Sequence, residues 1–306
     1  MIDPDENKIG SYNMEPQKYF FHSSQIRIRD PFVVPCKETK TYYLFGTTDS
    51  EPWYGAGEGF KVYESRDLEY WSEPKYAFQP PKGFWGTYQF WAPEVHFYRG
   101  SWYMFASFNA PGHRRGSQIL HADALTGPYR PISDGPVTPC DWECLDATLF
   151  VEEDGSPWVV FSHEWLQIGN GAICAAPLSE DLTHTTAAPI VLFHAKDAPW
   201  SAPNTGAKTA SVGENYVTDG PFVYRSADGG LRMLWSSFSE KGYALGIAES
   251  RSGSILGPWT QQEKPRFDFG GHGMIFKDFS GKTWLALHAP DTEFLERLTL
   301  VEFDDV

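Results

Sequence analysis

Cysteine is scarce: Cys36, Cys140, Cys144 and Cys174 are four in a chain of 306 residues. That density excludes a disulfide scaffold. Cys140 and Cys144 form a lone C-x3-C with no second pair and no H-x3-H partner, so buried free thiols are expected ahead of zinc. Basic residues are also short, 25 against 40 acidic ones, for a net charge of −15. Phosphate backbones and anionic lipid surfaces call for Lys and Arg, so neither nucleic acid nor membrane is expected as a partner. No apolar run approaches the roughly 18 residues of a spanning helix. The first residues, Met1 to Lys8, lack the basic and apolar regions of a secretory leader. As given, the chain reads as cytoplasmic, or as exported with a leader already removed. Helical periodicity is nearly missing as well, with a turn or so near Asp291 to Glu296 as the only candidate.

Aromatics, glycine and proline fill the space. Phe, Trp and Tyr make up 16% of the chain, with 28 Gly and 23 Pro. Aromatics suit pleated, half-buried surfaces, and Gly and Pro punctuate turns, so many short strands are expected. Five short runs share one pattern, an apolar strand after a tight polar turn: Tyr42 to Phe45, Trp102 to Phe105, Trp158 to Phe161, Arg232 to Trp235, and Trp284 to Leu287. Their last residues are 60, 56, 74 and 52 positions apart, and another apolar strand precedes each turn. Five meandering units, each too thin to bury both faces alone, stack radially as a propeller; a long sandwich would explain the strands but not the intervals. The expectation is an all-β, single-domain, five-bladed β-propeller over 1–306. Its blades run roughly 26–80, 88–135, 144–195, 217–265 and 270–306. The alternating strand Leu298 to Phe303 is expected to pair with the N-terminal region and close the ring.

Each unit opens its first strand near an ionisable residue: Asp30, Glu94, Asp146, Asp219 and His272. These lie 15, 11, 15, 16 and 15 residues before the hairpin ends. First strands line a propeller's channel, so the five converge on one mouth. Carboxylates brought that close have their pKa values pushed apart, which is what general acid and base need at one pH. Glycoside hydrolysis uses such a pair. An Asp before Pro or Gly also serves as a turn-former, and that reading stays open for each word alone.

The words Arg29-Asp30-Pro31, Phe90-Trp91-Ala92-Pro93-Glu94-Val95, Leu145-Asp146-Ala147, Asp219-Gly220-Pro221 and Gly270-Gly271-His272-Gly273, in this order, carry a resemblance. Over roughly Gln25 to Phe303 the chain resembles glycoside hydrolase family 43, inverting propeller enzymes acting on arabinose- and xylose-containing glycans. The resemblance implies Asp30 as general base and Asp146 as the residue that orients the acid and raises its pKa. The acid is usually a Glu before Gly-Pro; here that position holds Asp219, one methylene shorter. Asp219 is favoured, with Glu94, Glu164 or Glu214 as alternatives. Glu94 is placed as a channel or subsite residue. His272 matches a histidine near the channel axis that often helps hold calcium through water, and a neutral histidine bonded inside the channel is the other reading. Calcium is compatible and no organic cofactor is required. Phe32, Trp91 and Trp165 are expected to form a sugar platform. Arg297 is expected to contact the terminal sugar or to cap the last strand. Long loops from Trp53 to Phe60 and from Trp200 to Tyr216 suggest a blind pocket. The expectation is an exo-acting hydrolase removing α-L-arabinofuranosyl, or β-xylosyl, residues from hemicellulose-derived oligosaccharides. A catalytically weakened carbohydrate-binding propeller is the alternative, prompted by Asp219; a propeller interaction module leaves the ordered acid words unexplained.

Overall fold

Five antiparallel meanders follow one another along the chain in a computed structural model that describes residues 21–206 and 213–305. The leader reading at residues 1–8, and residues 207–212 of the second long loop, lie outside the described residues. The innermost strands are Arg29–Cys36, Tyr88–Tyr98, Cys144–Val151, Asp219–Arg225 and Gly271–Lys277. Their hairpin partners are Thr41–Thr47, Ser101–Asn109, Pro157–His163, Leu231–Ser239 and Thr283–Ala289. The arrangement is a five-bladed β-propeller.

The recurring apolar runs are what hold it together. Phe45, Phe105, Phe161, Trp235 and Leu287, the ends by which the repeat was found, are all fully buried. The core divides into clusters that straddle neighbouring blades. One joins blades 3 and 4 through Val160, Phe193, Trp200 and Trp235, and another joins blades 4 and 5 through Leu234, Leu245, Leu285 and Leu287. Each blade thus hides its faces against the next. At about 1.5–3 kcal/mol per buried large side chain, this packing is the main stabilising term.

Three expectations change. The strand Arg297–Glu302 pairs with Thr283–Ala289 as the third strand of blade 5, and the described N-terminal segment meets only its start, through the Arg27–Arg297 bridge, Ile28 N–H to the Glu296 carbonyl and Arg297 to the Ser24 carbonyl. No helix forms at 291–296; among the described residues the one α-helical turn is Trp165–Ile168. Cys140 is exposed and Cys144 buried, both as free thiols. Among the described residues no group of three or more His, Cys, Asp or Glu could hold a metal ion, and no helix is long and apolar enough to cross a membrane.

Candidate active site

Every innermost strand carries a bulge near its start, and the register of all five shows where each acid sits. The residue before the bulge pairs with the second strand: Arg29 with Thr47, Trp91 with Ser107, Leu145 with Ser162, Asp219 with Ser236, and Gly271 with His288. The next residue, at the bulge, has a left-handed backbone in all five blades: Asp30 (φ 52°), Ala92 (49°), Asp146 (56°), Gly220 (50°) and His272 (51°). Asp tolerates this region better than most side chains, and such strain gathers at functional sites. The five ionisable residues are therefore not equivalent. Asp30, Asp146 and His272 occupy the bulge, Asp219 stands one residue before it, and Glu94 two residues beyond it.

This depth difference corrects two expected sugar contacts. Residues two beyond the bulge lie deeper along the channel by roughly 6–7 Å, two strand rises. Phe32, at that level, is buried and packs on His96 and Phe222, plugging the channel beneath the acids instead of forming a platform. Glu94 at the same level is buried with its carboxylate 3.2 Å from His96 Nε2, and does not line the cleft. Arg297 is also absent from the cleft: its guanidinium donates to the carbonyls of Ser24, Phe294 and Glu296, tying the last strand to the N-terminal segment.

The bulges are joined around the ring. The second-strand side chain of one blade accepts the bulge N–H of the next: Thr47 from Ala92 (2.8 Å), Ser107 from Asp146 (2.8 Å), Ser236 from His272 (2.8 Å), and His288 Nδ1 from Asp30 (3.2 Å). Between blades 3 and 4 the pattern changes. Gly220 N–H donates to Asp146 Oδ2 (3.0 Å), and Ser162 Oγ is buried without a hydrogen-bond partner among the described residues. Asp146 has taken over that junction, so its carboxylate holds the strand that carries Asp219. Gly220 is required there, because a Cβ would come within 2.7 Å of the His272 ring.

Asp30 and Asp219 meet opposite surroundings. Thr47 Oγ1 donates to Asp30 Oδ2 (2.7 Å), and Asp30 Oδ1 lies 3.1 Å from His272 Nδ1 and 3.6 Å from His288 Nδ1. Burial opposes ionisation of Asp30, but His272, Arg29 and His288 outweigh it and hold its carboxyl below the usual range. Asp219 accepts a hydrogen bond from the Tyr243 hydroxyl (3.1 Å). Burial, then the Glu164 charge, pushes Asp219 up to about 7. Burial and the neighbouring Asp219 and Asp30 charges raise Asp146 far above the carboxylate range. Asp30 is thus set as a carboxylate and Asp219 as a proton donor near neutral pH.

These groups open into a cleft of about 490 Å³, lined also by Trp53, Trp91, Trp165, Asn204 and Phe238. Trp91 and Trp165 fall where the sequence suggested. Glu164, one of the alternative acids, lines the cleft but is engaged by Arg115, while Glu214 is exposed and paired with Lys196. Sequence reasoning missed several residues. Arg29 reaches Asp291 (2.8 Å) and Glu296 (3.0 Å) beside the base, and its guanidinium lies 5.3 Å from the Trp53 ring. His288 stacks on Tyr243, and burial followed by Arg29 pushes its pKa down. Arg29 opened one of the quoted words and His288 followed a recognised hairpin run; both were legible as positions but not as roles. For calcium held through water, His272 turns its Nδ1 towards Asp30 (3.1 Å) and Asp146 (3.6 Å). Calcium takes about six to eight oxygen ligands, so an ion at this position would draw most of them from water.

Comparison with known proteins agrees with this geometry. The family model for glycosyl hydrolases family 43 matches residues 24–302. A solved structure of an endo-arabinase from Bacteroides thetaiotaomicron VPI-5482 is 38% identical with a TM-score of 0.85, covering 94% of this chain and 98% of that one. An extracellular endo-alpha-(1->5)-L-arabinanase 1 from Bacillus subtilis (strain 168) is 24% identical over 156 residues, 48% of this chain and 46% of that protein. Alpha-L-arabinofuranosidase 43 from Humicola insolens is 25% identical over 265 residues, 82% of this chain and 50% of that protein. The matched regions thus span about half the length of these two curated relatives.

Proposed function

Because the chain belongs to glycosyl hydrolases family 43, we propose that it hydrolyses α-L-arabinofuranosyl linkages by single displacement with inversion. The observation that carries the reading is the opposed setting of two buried carboxylates in one cleft, Asp30 among cationic and hydroxyl partners and Asp219 among anions. Asp30 takes a proton from water as the oxygen attacks the anomeric carbon. The bond to the leaving oxygen breaks, and Asp219 supplies that oxygen's proton. Asp30 ends protonated and Asp219 ionised, and exchange with solvent resets both. Asp146 acts through Asp219 by its hold on Gly220 N–H, which fixes the strand that carries the donor. Glu164 is the weaker donor: burial raises it above the usual glutamate range, but the Arg115 ion pair opposes that rise, whereas the Asp219 carboxyl accepts from a neutral hydroxyl and is pushed up further.

Preference for arabinose over xylose is supported by the names of the relatives. Exo-action is supported by the two long loops, since Trp53 from the first and Asn204 from the second line the cleft. Endo-action is the second reading, favoured by the 38% identity with an endo-arabinase. The test is product analysis on linear arabino-oligosaccharides and on aryl arabinofuranosides and xylosides, wild type beside Asp219→Ala. Release of single arabinose units, lost on oligosaccharides in the variant, is expected. A ladder of short oligosaccharides assigns endo-action instead. Binding without turnover, unchanged by Asp30→Asn, overturns the hydrolase reading in favour of a carbohydrate-binding propeller.

A further inference from the structure

Arg115 enters the cleft from the start of the third strand of blade 2, with no counterpart in the repeated words. It is buried, yet its side chain touches three walls of the cleft. Nη1 donates to Glu164, immediately before the short helix that carries Trp165. Nη2 donates to Gln89 Oε1 (2.7 Å). Its guanidinium lies 4.4 Å from the centre of the Trp91 ring. Gln89, in turn, donates through Nε2 to the carbonyl of Trp53 (3.1 Å), and Asn109 donates to Gln89 Oε1 (2.9 Å). Trp91 Nε1 donates to the carbonyl of Pro52 (2.7 Å), and the Trp53 and Trp91 rings meet edge to face at 4.9 Å and 71°.

The two tryptophans therefore form a corner with a guanidinium on each ring, Arg29 on Trp53 and Arg115 on Trp91, and of the two Arg115 alone also bonds the side chain that holds the Trp53 backbone. Trp53 comes from a long loop, which by itself has many conformations. Further along, the loop is tied to blade 2 through its backbone, Gly57 N–H to the Thr87 carbonyl (2.9 Å) and an Ala56–Tyr88 bridge. At its tryptophan end it is held by the carbonyls of Pro52 and Trp53, and Arg115 touches the side chain that reaches each of these. A planar fork that bonds along its edges and stacks through its face suits this task, and an ammonium cannot do both at once.

We propose that Arg115 is a specificity-determining positioning residue, which locks Trp53 and Trp91 into the corner that receives a sugar ring of an arabinofuranosyl chain. The assignment rests on the hydrolase reading above for its ligand. It places Arg115 away from the reacting atoms, so its loss weakens binding far more than it slows chemistry.

The test compares Arg115→Lys and Arg115→Met with wild type on linear arabino-oligosaccharides. Arg115→Met strands the buried Glu164 carboxylate, so the double variant Arg115→Met/Glu164→Gln is measured beside it. Measured at a pH below the alkaline limb, where the Glu164 charge no longer decides whether Asp219 holds its proton, KM is expected to rise about tenfold with kcat changed less than about threefold. The Kd of an arabino-oligosaccharide, measured by calorimetry in an Asp30→Asn background, is expected to rise by the same factor. Arg115→Lys should fold as wild type and still show the KM increase, since it keeps the charge and loses the fork. A purely structural role would lower the active fraction and leave KM unchanged. Indole resonances of Trp53 and Trp91 give a reading independent of turnover, and both are expected to shift in every Arg115 variant. Unmoved resonances, or KM and Kd within about twofold of wild type, overturn the proposal. Wild type that neither binds nor cleaves the oligosaccharides, with shifted resonances in the variants, refutes the ligand assignment while leaving the corner and its lock in place.

Discussion

Blades 1 and 4 start alike and end in opposite chemistry. Both open on an aspartate within one residue of the same bulge, and both aspartates are buried. Around Asp30 stand His272, His288, Arg29 and the Thr47 hydroxyl; around Asp219 stand Asp146, Glu164 and the Tyr243 hydroxyl. Burial acts on both in the same direction, so the neighbours alone decide that one is ionised and the other holds a proton. The lesson is that a repeat supplies positions, and the adjacent blades assign the roles.

The strongest way to break the comparison is to neutralise the base. Asp30→Asn should lower kcat by about 10³-fold or more on every glycoside, since no other group faces the attacking water; stopped assays on aryl and natural substrates would measure it. Next comes the donor. Asp219→Asn should cost about 10²-fold on oligosaccharides, yet less than about tenfold on dinitrophenyl glycosides, whose leaving group needs no proton. Equal losses on both would move the donor role elsewhere.

The same variant should be more stable than wild type, which sharpens the contrast. The folded pKa of Asp219 is raised from 3.8 to about 7, so the native state binds more protons than the unfolded chain across that interval. Stability is fullest below pH 4 and declines as pH climbs towards 7. Asn lacks this penalty, so the stability gap between Asp219→Asn and wild type should widen by on the order of 2 kcal/mol from pH 4 to pH 8, read by denaturant titration. The smallest effect concerns Glu164. Removing its charge in Glu164→Gln lets the Asp219 pKa fall, and the alkaline limb of kcat/KM should move down by up to about one pH unit.

Much of this was legible because the repeat is built on buried residues. Phe161, Trp235 and Leu287 mark second strands, and counting back from them reaches the channel whatever the loop lengths. The count also held the clue to its own error. Asp219 lay 16 residues back where the others lay 15, and that departure is the shift that puts it before the bulge; Glu94, at 11, is two residues beyond its bulge and is followed by a turn shorter than that of blade 1. Phe32 was misplaced for the same reason, since its distance from Asp30 in sequence is a depth in the channel. Arg115, Tyr243 and Gln89 could not be found this way. Each acts through a partner in another strand or another blade, at a place that periodicity does not mark. Arg29 and Glu296 pair across 267 positions of chain, and the ring brings them together only by closing.

That closure has a consequence in time. Asp30, Asp146 and Asp219 all precede residue 220, but His272, His288, Asp291 and Glu296 come after residue 270. Synthesis runs from the N-terminus, so the three carboxylates emerge from the ribosome well before the groups that set the base. Until the fifth blade docks, Asp30 lacks His272 and His288, and Arg29 lacks Asp291 and Glu296. Asp30 therefore leaves the ribosome as an ordinary exposed carboxylate, and takes on the histidine partners that hold its charge only when the fifth blade docks.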